Sequence, residues 1–491
     1  MSLFRRLLAA TSVATILFGA LSAADLRSWE RSYVTLEVTY KDYDYSQPWS
    51  KPPRTVRKGG LVLADREILT TAQHLPGATL VRLQRGGRGK WYDARVTWTD
   101  PHANLALVTA DADAFWDGLK PAELAAVVPP GPDFNLVRWR DGNLEGRRVE
   151  FSKFSVREGA LSFAPRLTLE VNTELAGLGW AEAVTADGSV VGLTASKSGN
   201  TCQVIPSSLI RRVLEARRTG SYRGLGYFDF TWQQGENPAT LRFLKLSGPE
   251  RGAVVTEVVT RSNRPPVLQP RDLILEVDGF PVDVEGDYDD PNYGHLMLEN
   301  LATRSKFAGD TVPMKIWRDG AERTVEYVLP AAAYSDQIVP QYSFGHDPEY
   351  LIAGGLVFQP LEQSYLRAWG EEWQRRAPFR LRYYQNDHPT PERPSLVMLT
   401  VVLPDPVNVG YQDVRFLVVD QINGRKIATL ADIAAALKEP RDGVHRFEFM
   451  PGDSLQRILL DATATDTATR RVLQRYGIPA AQSLVAAEGG K

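Results

Sequence analysis

The sequence predicts a mainly β protein of several domains, and three observations carry that prediction. The 491 residues are too many for one hydrophobic core, and at about 150 residues per domain they make about three units. From Tyr33 to Val204, short strand-like runs are punctuated at close intervals by Gly, Pro, Asp and Asn, the spacing of an all-β sandwich or barrel. Further along, Asp319-Gly320 stands between two strand-like runs as a hairpin turn, and Asn423-Gly424 ends another run as a turn.

Taken in order, the chain opens with Arg5 and Arg6, an uncharged apolar run Leu7 to Leu21, and small residues at Ser22-Ala23-Ala24. That pattern predicts a signal peptide over residues 1–24 and an exported mature chain, periplasmic or secreted. The run is shorter than the roughly 20 residues a spanning helix needs, and no later stretch is apolar enough to form a stable membrane span. Strands are expected at Val34 to Thr39, Gly60 to Leu63, Thr79 to Leu83 and Leu105 to Val108. A helix at Pro206 to Leu214, capped by Ser207 or Ser208, closes this first unit. The second unit has strands around Gly252 to Val259, Leu273 to Val277, Val312 to Trp317 and Thr324 to Leu329. The third has strands near Leu396 to Leu403 and Phe416 to Ile422, a helical stretch at Leu430 to Leu437, and a predicted helix over Leu361 to Arg376 carrying Trp369 and Trp373. The pattern Leu273-Ile274-Leu275-Glu276-Val277-Asp278-Gly279 returns as Leu417-Val418-Val419-Asp420-Gln421-Ile422-Asn423-Gly424, a weak internal repeat.

Composition removes several functions. A net charge of -2, from 57 basic and 59 acidic residues, makes no electrostatic case for nucleic acid. The single cysteine, Cys202, forbids an internal disulfide and sits in a strand-like run as a structural thiol. The acidic loop Asp283 to Asp290 lacks the ordered ligand spacing of a calcium loop and reads as a solvated insertion. No metal and no cofactor is expected.

Four landmarks then appear in order. The string Gly60 to His74 ends in Leu69-Thr70-Thr71-Ala72-Gln73-His74, followed by Asp100-Pro101-His102-Ala103-Asn104-Leu105-Ala106-Leu107-Val108, Asp187-Gly188-Ser189-Val190-Val191-Gly192-Leu193 and Cys202 to Ser207. Together they resemble the protease domain of the HtrA/Deg family, which implies a trypsin-like double β-barrel over residues 25–220. Acyl transfer on that fold needs a nucleophile, a base, an acid that orients the base, and backbone amides aimed at the oxyanion. The resemblance places His74 at the base position and Asn104 at the acid position. An amide there carries no charge to stabilise an imidazolium, a loss of roughly ten-thousand-fold in rate. Counting back from Asp187-Gly188 places Gly179 at the nucleophile position, where no side chain remains, and Trp180 where the family has glycine. Thr173, Ser189, Ser196 and Ser198 fall off the nucleophile turn. His74 then reads as a retained structural histidine.

Beyond the barrels, Arg223-Gly224-Leu225-Gly226-Tyr227-Phe228 resembles the carboxylate loop of PDZ domains, where converging amides hold a peptide C-terminus. The resemblance implies two PDZ-like α+β modules, at 221–332 and 333–491, with Gly224, Leu225, Gly226, Tyr227 and Phe228 as peptide-binding residues. Tyr350 to Leu361 and the tail Arg470 to Pro479 are similar to the second module of the plant-type Deg branch. The function implied is that of a pseudoprotease: a chaperone-like or scaffold protein that binds unfolded or C-terminal peptides of clients. By family analogy it forms homo-oligomers, commonly trimers. The alternative is an active serine endopeptidase of protein quality control with a rearranged site.

Overall fold

The computed structural model describes residues 23–129, 131, 134–259, 265–342, 346–370, 372–452 and 455–485. The predicted signal peptide lies outside them, save for its last two residues, which begin a helix Ala23–Trp29. Strands β1 (Tyr33–Lys41), β2 (Pro53–Val62), β3 (Ile68–Thr70), β4 (Ala78–Gln84), β5 (Trp91–Asp100) and β6 (Leu105–Ala110) close into a barrel in the order β1-β2-β3-β6-β5-β4. Strands β7 (Phe134–Arg140), β8 (Asn143–Gly159), β9 (Ser162–Asn172), β10 (Ala183–Ala186), β11 (Ser189–Ser198) and β12 (Thr201–Pro206) close a second, ordered β10-β11-β12-β9-β8-β7.

Alternation explains the first barrel. Val34, Leu36 and Val38 point from β1 into a core with Ile68, Leu83 and Val108. Each such side chain contributes about 1.5–3 kcal/mol on burial. Phe134, Leu136, Leu169 and Val171 fill the second barrel, with Cys202 fully buried and its thiol pushed up to about 12 by burial. A third cluster is the seam. Tyr33, Leu61 and Leu105 from one barrel meet Leu193 and Ile205 from the other, and the helix Ser207–Arg218 adds Leu209, Ile210 and Val213. That helix is not capped by Ser207 or Ser208. Pro206 occupies the cap position, makes no side-chain capping bond, and sets the extended backbone that a serine would otherwise hold.

Behind the barrels, a sheet of Phe230–Gln234, Ala253–Val258, Leu273–Val277, Thr311–Arg318 and Ala321–Val328 forms the first module. The hairpin turns at Asp319 (φ 54°) and Gly320 (φ 84°), as the dipeptide predicts. The acidic loop is not simply solvated: Asp287–Asp290 pairs with Gly294–Met297, Tyr288 is buried, and Asp290 takes the Arg304 guanidinium at 2.6 Å. The last module is an eight-stranded sheet centred on Leu356–Pro360, Val397–Val402 and Leu417–Ile422. The repeated pattern folds alike in both modules. Leu273–Val277 and Leu417–Ile422 each run into a left-handed two-residue turn and a short return strand, Phe280–Pro281 and Arg425–Lys426.

The helix expected over Leu361 to Arg376 is broken. Short pieces Gln363–Leu366, Arg367–Trp369 and Trp373–Arg376 replace it, because Gly370 turns to φ 88°. Trp369 packs on Tyr365 and Phe416 within the module. The loop between β1 and β2 ties this module to the first barrel: Lys41, Lys51 and the Tyr43 hydroxyl all donate to Asp347, at 2.5–2.8 Å.

Candidate functional site

The site is built on two loops that meet at the seam. One leaves β3 and carries Thr71, Gln73 and His74; the other, Gly177 to Glu182, enters β10. His74 sits in a left-handed conformation (φ 65°), with its ring between Tyr40 (centroids 5.0 Å) and Trp180 (4.6 Å). Its Nδ1 is buried and without a partner. Burial, with Lys58 and Arg54 nearby, holds the imidazole down at about 4. The ring is therefore neutral at pH 7.

Asn104 is fully buried, also left-handed (φ 54°), and does not reach the histidine. Its Nδ2 donates to Gln73 Oε1 at 3.3 Å, and Gln73 Nε2 donates to the Ala195 carbonyl at 2.9 Å. A glutamine thus takes the Asn104 Nδ2 and ties the loop to β11, while Asn104 Oδ1 is buried without a partner.

Gly179 lies at φ 107°. A Cβ on it would stand 3.0 Å from Ser196 Cα and 3.2 Å from Ser196 C, against β11 backbone. Its amide and that of Trp180 both donate to Glu182 Oε2, each at 3.0 Å. The Thr194 hydroxyl donates to the same oxygen, and the Glu182 amide donates back to Thr194 Oγ1 at 2.9 Å. A carboxylate of the chain itself therefore fills the concavity of amides in this loop. The loop is pinned further by Gly59, whose amide donates to the Trp180 carbonyl, and by Tyr33, whose hydroxyl donates to the Ala181 carbonyl.

Lys58 is the other buried charge. Its ammonium donates to the Thr71 carbonyl (2.6 Å), Thr71 Oγ1 (2.8 Å) and the Gln73 carbonyl (2.8 Å), so it holds the histidine loop from below. Burial lowers it to about 7, and the Glu182 carboxylate opposes that shift. Glu182, Lys58 and Gln73 are absent from the sequence-based site. The visible signal for Glu182 is an acidic residue three positions after Gly179; Lys58 and Gln73 carry none. Thr173 and Ser196 are engaged elsewhere, with Leu175 N and Gln203 Oε1. Among the described residues no hydroxyl hydrogen-bonds the His74 ring.

In the first module the string Gly224 to Phe228 is packed inward. Leu225, Tyr227 and Phe228 are buried, Leu225 within the seam cluster and Tyr227 edge-on to Phe163 of β9. The Tyr227 amide donates to the Pro330 carbonyl at 3.4 Å, and Gly226 leaves 2.9 Å between a notional Cβ and Leu329. The string lies at the junction of module and barrel.

The low histidine has a thermodynamic consequence. Its folded value lies below its unfolded one, so between about pH 6.5 and 4 the unfolded chain binds the extra proton and stability falls as pH drops. The loss amounts to about 2–3 kcal/mol by pH 4. A His74→Asn variant is expected to flatten this acid limb in melting curves taken from pH 7 to pH 4. An unaltered limb contradicts the assignment.

Two closed six-stranded barrels with a seam helix and sheet modules behind them define the class: a trypsin-like double barrel with PDZ-like modules. A family model for the PDZ domain matches residues 339–485. The chain is similar to Protease Do-like 2, chloroplastic, of Arabidopsis thaliana, at 26% identity over 471 residues, 93% of this chain and 75% of the relative. It is also similar to a probable periplasmic serine endoprotease DegP-like of a Marinomonas species, at 24% identity over 62% of this chain and 65% of the relative. The solved structure of HtrA-type protease AlgW with a decapeptide aligns with 64% of this chain and 99% of that one, at 17% identity and a TM-score of 0.47. Over most of its length the chain is thus similar to proteases of the HtrA/Deg family.

Proposed function

We propose that this chain is an exported HtrA/Deg pseudoprotease that holds peptide segments of client proteins without cleaving them. On this reading residues 25–220 are the scaffold, and 221–332 and 333–491 are the two modules. His74, Asn104 and Gly179 occupy the base, acid and nucleophile positions. The observation that carries the reading is the Gly177–Glu182 loop. No hydroxyl stands at Gly179, and the amides of Gly179 and Trp180 are occupied by Glu182. Trp180 over His74 and Gln73 on Asn104 support it further, since each fills a contact that proton transfer requires.

Such a molecule acts by mass action: a bound client segment is withheld from aggregation in proportion to its occupancy. Among the described residues no helix is long and apolar enough to cross a membrane. Export follows from the leader pattern and is tested by the N-terminal sequence of the mature protein. Homo-oligomerisation, as a trimer, is tested by light scattering on a sizing column.

The functional test mixes purified mature protein with casein and, separately, with a thermally unfolding client. Casein is expected to remain intact on gels over a day, while light scattering from the client is suppressed near stoichiometric ratio. Casein fragments that persist after repurification would return the reading to an active endopeptidase.

A further inference from the structure

A cleft of about 430 Å³ opens between the two barrels beside the same loop; Trp180 and Glu182 line it, and His74 does not. Its lining holds two polar groups that the fold leaves unmatched. Arg138, from β7, is only 7% exposed. Its Nε bonds Glu145 at 3.2 Å and its Nη1 donates to the Ala176 carbonyl at 2.9 Å, while Nη2 has no partner. Thr35, from β1 of the other barrel, presents a buried Oγ1 that is likewise without a partner. Unmet buried groups of this kind are rare in native interiors, where buried polar atoms are almost always bonded. Two of them lining one cleft, from opposite barrels, point to a ligand that supplies acceptors.

The chemistry of that ligand follows from the lining. A guanidinium held by two of its nitrogens is fixed in plane, and its remaining N–H groups suit a carboxylate. Arg57 and Arg140 also line the cleft, each paired with a carboxylate, Glu37 at 3.1 Å and Asp141 at 3.7 Å, so Arg138 is the guanidinium left with an open position. Trp139 and Trp180 provide flat apolar walls, the first anchored by its Nε1 on the Tyr33 carbonyl at 2.7 Å. The overall charge of -2 argues against a polyanion, and a single unmet guanidinium nitrogen is too little for a phosphate backbone.

We propose that this cleft binds a carboxylate of an acidic peptide segment, with Arg138 Nη2 donating to it, Thr35 Oγ1 adding a second hydrogen bond, and the peptide lying against Trp139 and Trp180. This deepens the client-holding reading and rests on it: it names acidic segments as what is held. No bond is made or broken.

The test is fluorescence anisotropy on the full mature chain with end-labelled hexapeptides. One is capped at both ends and carries a central Glu-Glu; a second replaces these by Gln-Gln; a third is the Gln-Gln peptide with a free C-terminal carboxylate. At least one carboxylate peptide is expected to bind tenfold or more tighter than the capped Gln-Gln peptide, and which one does so identifies a side chain or a chain end as the source. Arg138→Met is expected to abolish that preference. Thr35→Val, which leaves the Arg138 anchors in place, is expected to reduce it about threefold and serves alone if Arg138→Met does not fold. Equal affinity for all three peptides overturns the proposal. So does a preference that survives both substitutions, or inorganic phosphate binding as tightly as the best peptide. Mass spectra of the recovered peptides separate the two claims: cleavage sinks the holding reading, whereas intact peptides bound without carboxylate preference sink only this one.

Discussion

Gly179→Ser protein is expected to stay inert towards casein and fluorophosphonate, and to melt lower than the parent. The backbone at this position has φ 107°, a region that L side chains adopt only under strain. The added Cβ meets Ser196 Cα at 3.0 Å, and backbone of a paired strand cannot swing aside as a side chain tip can. Strain of this kind costs about 1–3 kcal/mol. In a domain of this size that lowers Tm by about 2–12 °C. A serine there would still lack a prepared base, because the His74 ring packs tilted at 58° against Trp180, its Nδ1 is unpartnered, and Asn104 Nδ2 is turned to Gln73. Labelling of the variant at the rate of a working serine hydrolase would mean that only the nucleophile is missing and that the loop is otherwise competent.

Glu182→Ala is expected to destabilise the protein more than any other single truncation in the loop. The carboxylate is 5% exposed and receives two backbone amides and the Thr194 hydroxyl. Removing it returns the cost of burying a charge, but leaves fixed donors in a space water does not readily enter. The unmet donors win, at about 2–4 kcal/mol. Glu182→Gln keeps one acceptor for both amides and is expected to recover more than half of the loss. Urea unfolding of the three proteins measures this. Equal midpoints for parent and Glu182→Ala would show that the carboxylate does not hold the loop. Lys58 supplies an internal check. The Glu182 charge raises its ammonium, so either substitution is expected to bring Lys58 deprotonation to lower pH.

Much of the fold could be read from the chain because it rests on local signals. Alternation in β1, turn dipeptides at Asp319-Gly320 and Asn423-Gly424, and the left-handed turns of the repeated motif are written within a few residues. The site was legible only where a side chain is missing. That Gly179 has no hydroxyl is visible in the sequence; that Glu182 curls back onto its amide depends on the turn geometry and on Thr194, twelve residues on. Lys58 looks like a surface residue beside Gly59-Gly60, and its burial arises from the loop that folds over it. Gly370 sits inside the helix predicted over Leu361 to Arg376, and its left-handed turn interrupts the helix although Trp369 and Trp373 stand four apart. The inward packing of Tyr227 depends on Phe163 of β9, sixty-four positions upstream, and that of Leu225 on a seam cluster drawn from both barrels, beyond the reach of any short motif.

The most direct test of the central claim is intact-mass spectrometry of the native protein after prolonged exposure to a fluorophosphonate and, separately, to an activated ester. The mass is expected to remain that of the unmodified mature chain in both. An adduct that maps to one serine or threonine of the barrels, and disappears in His74→Asn, would contradict it.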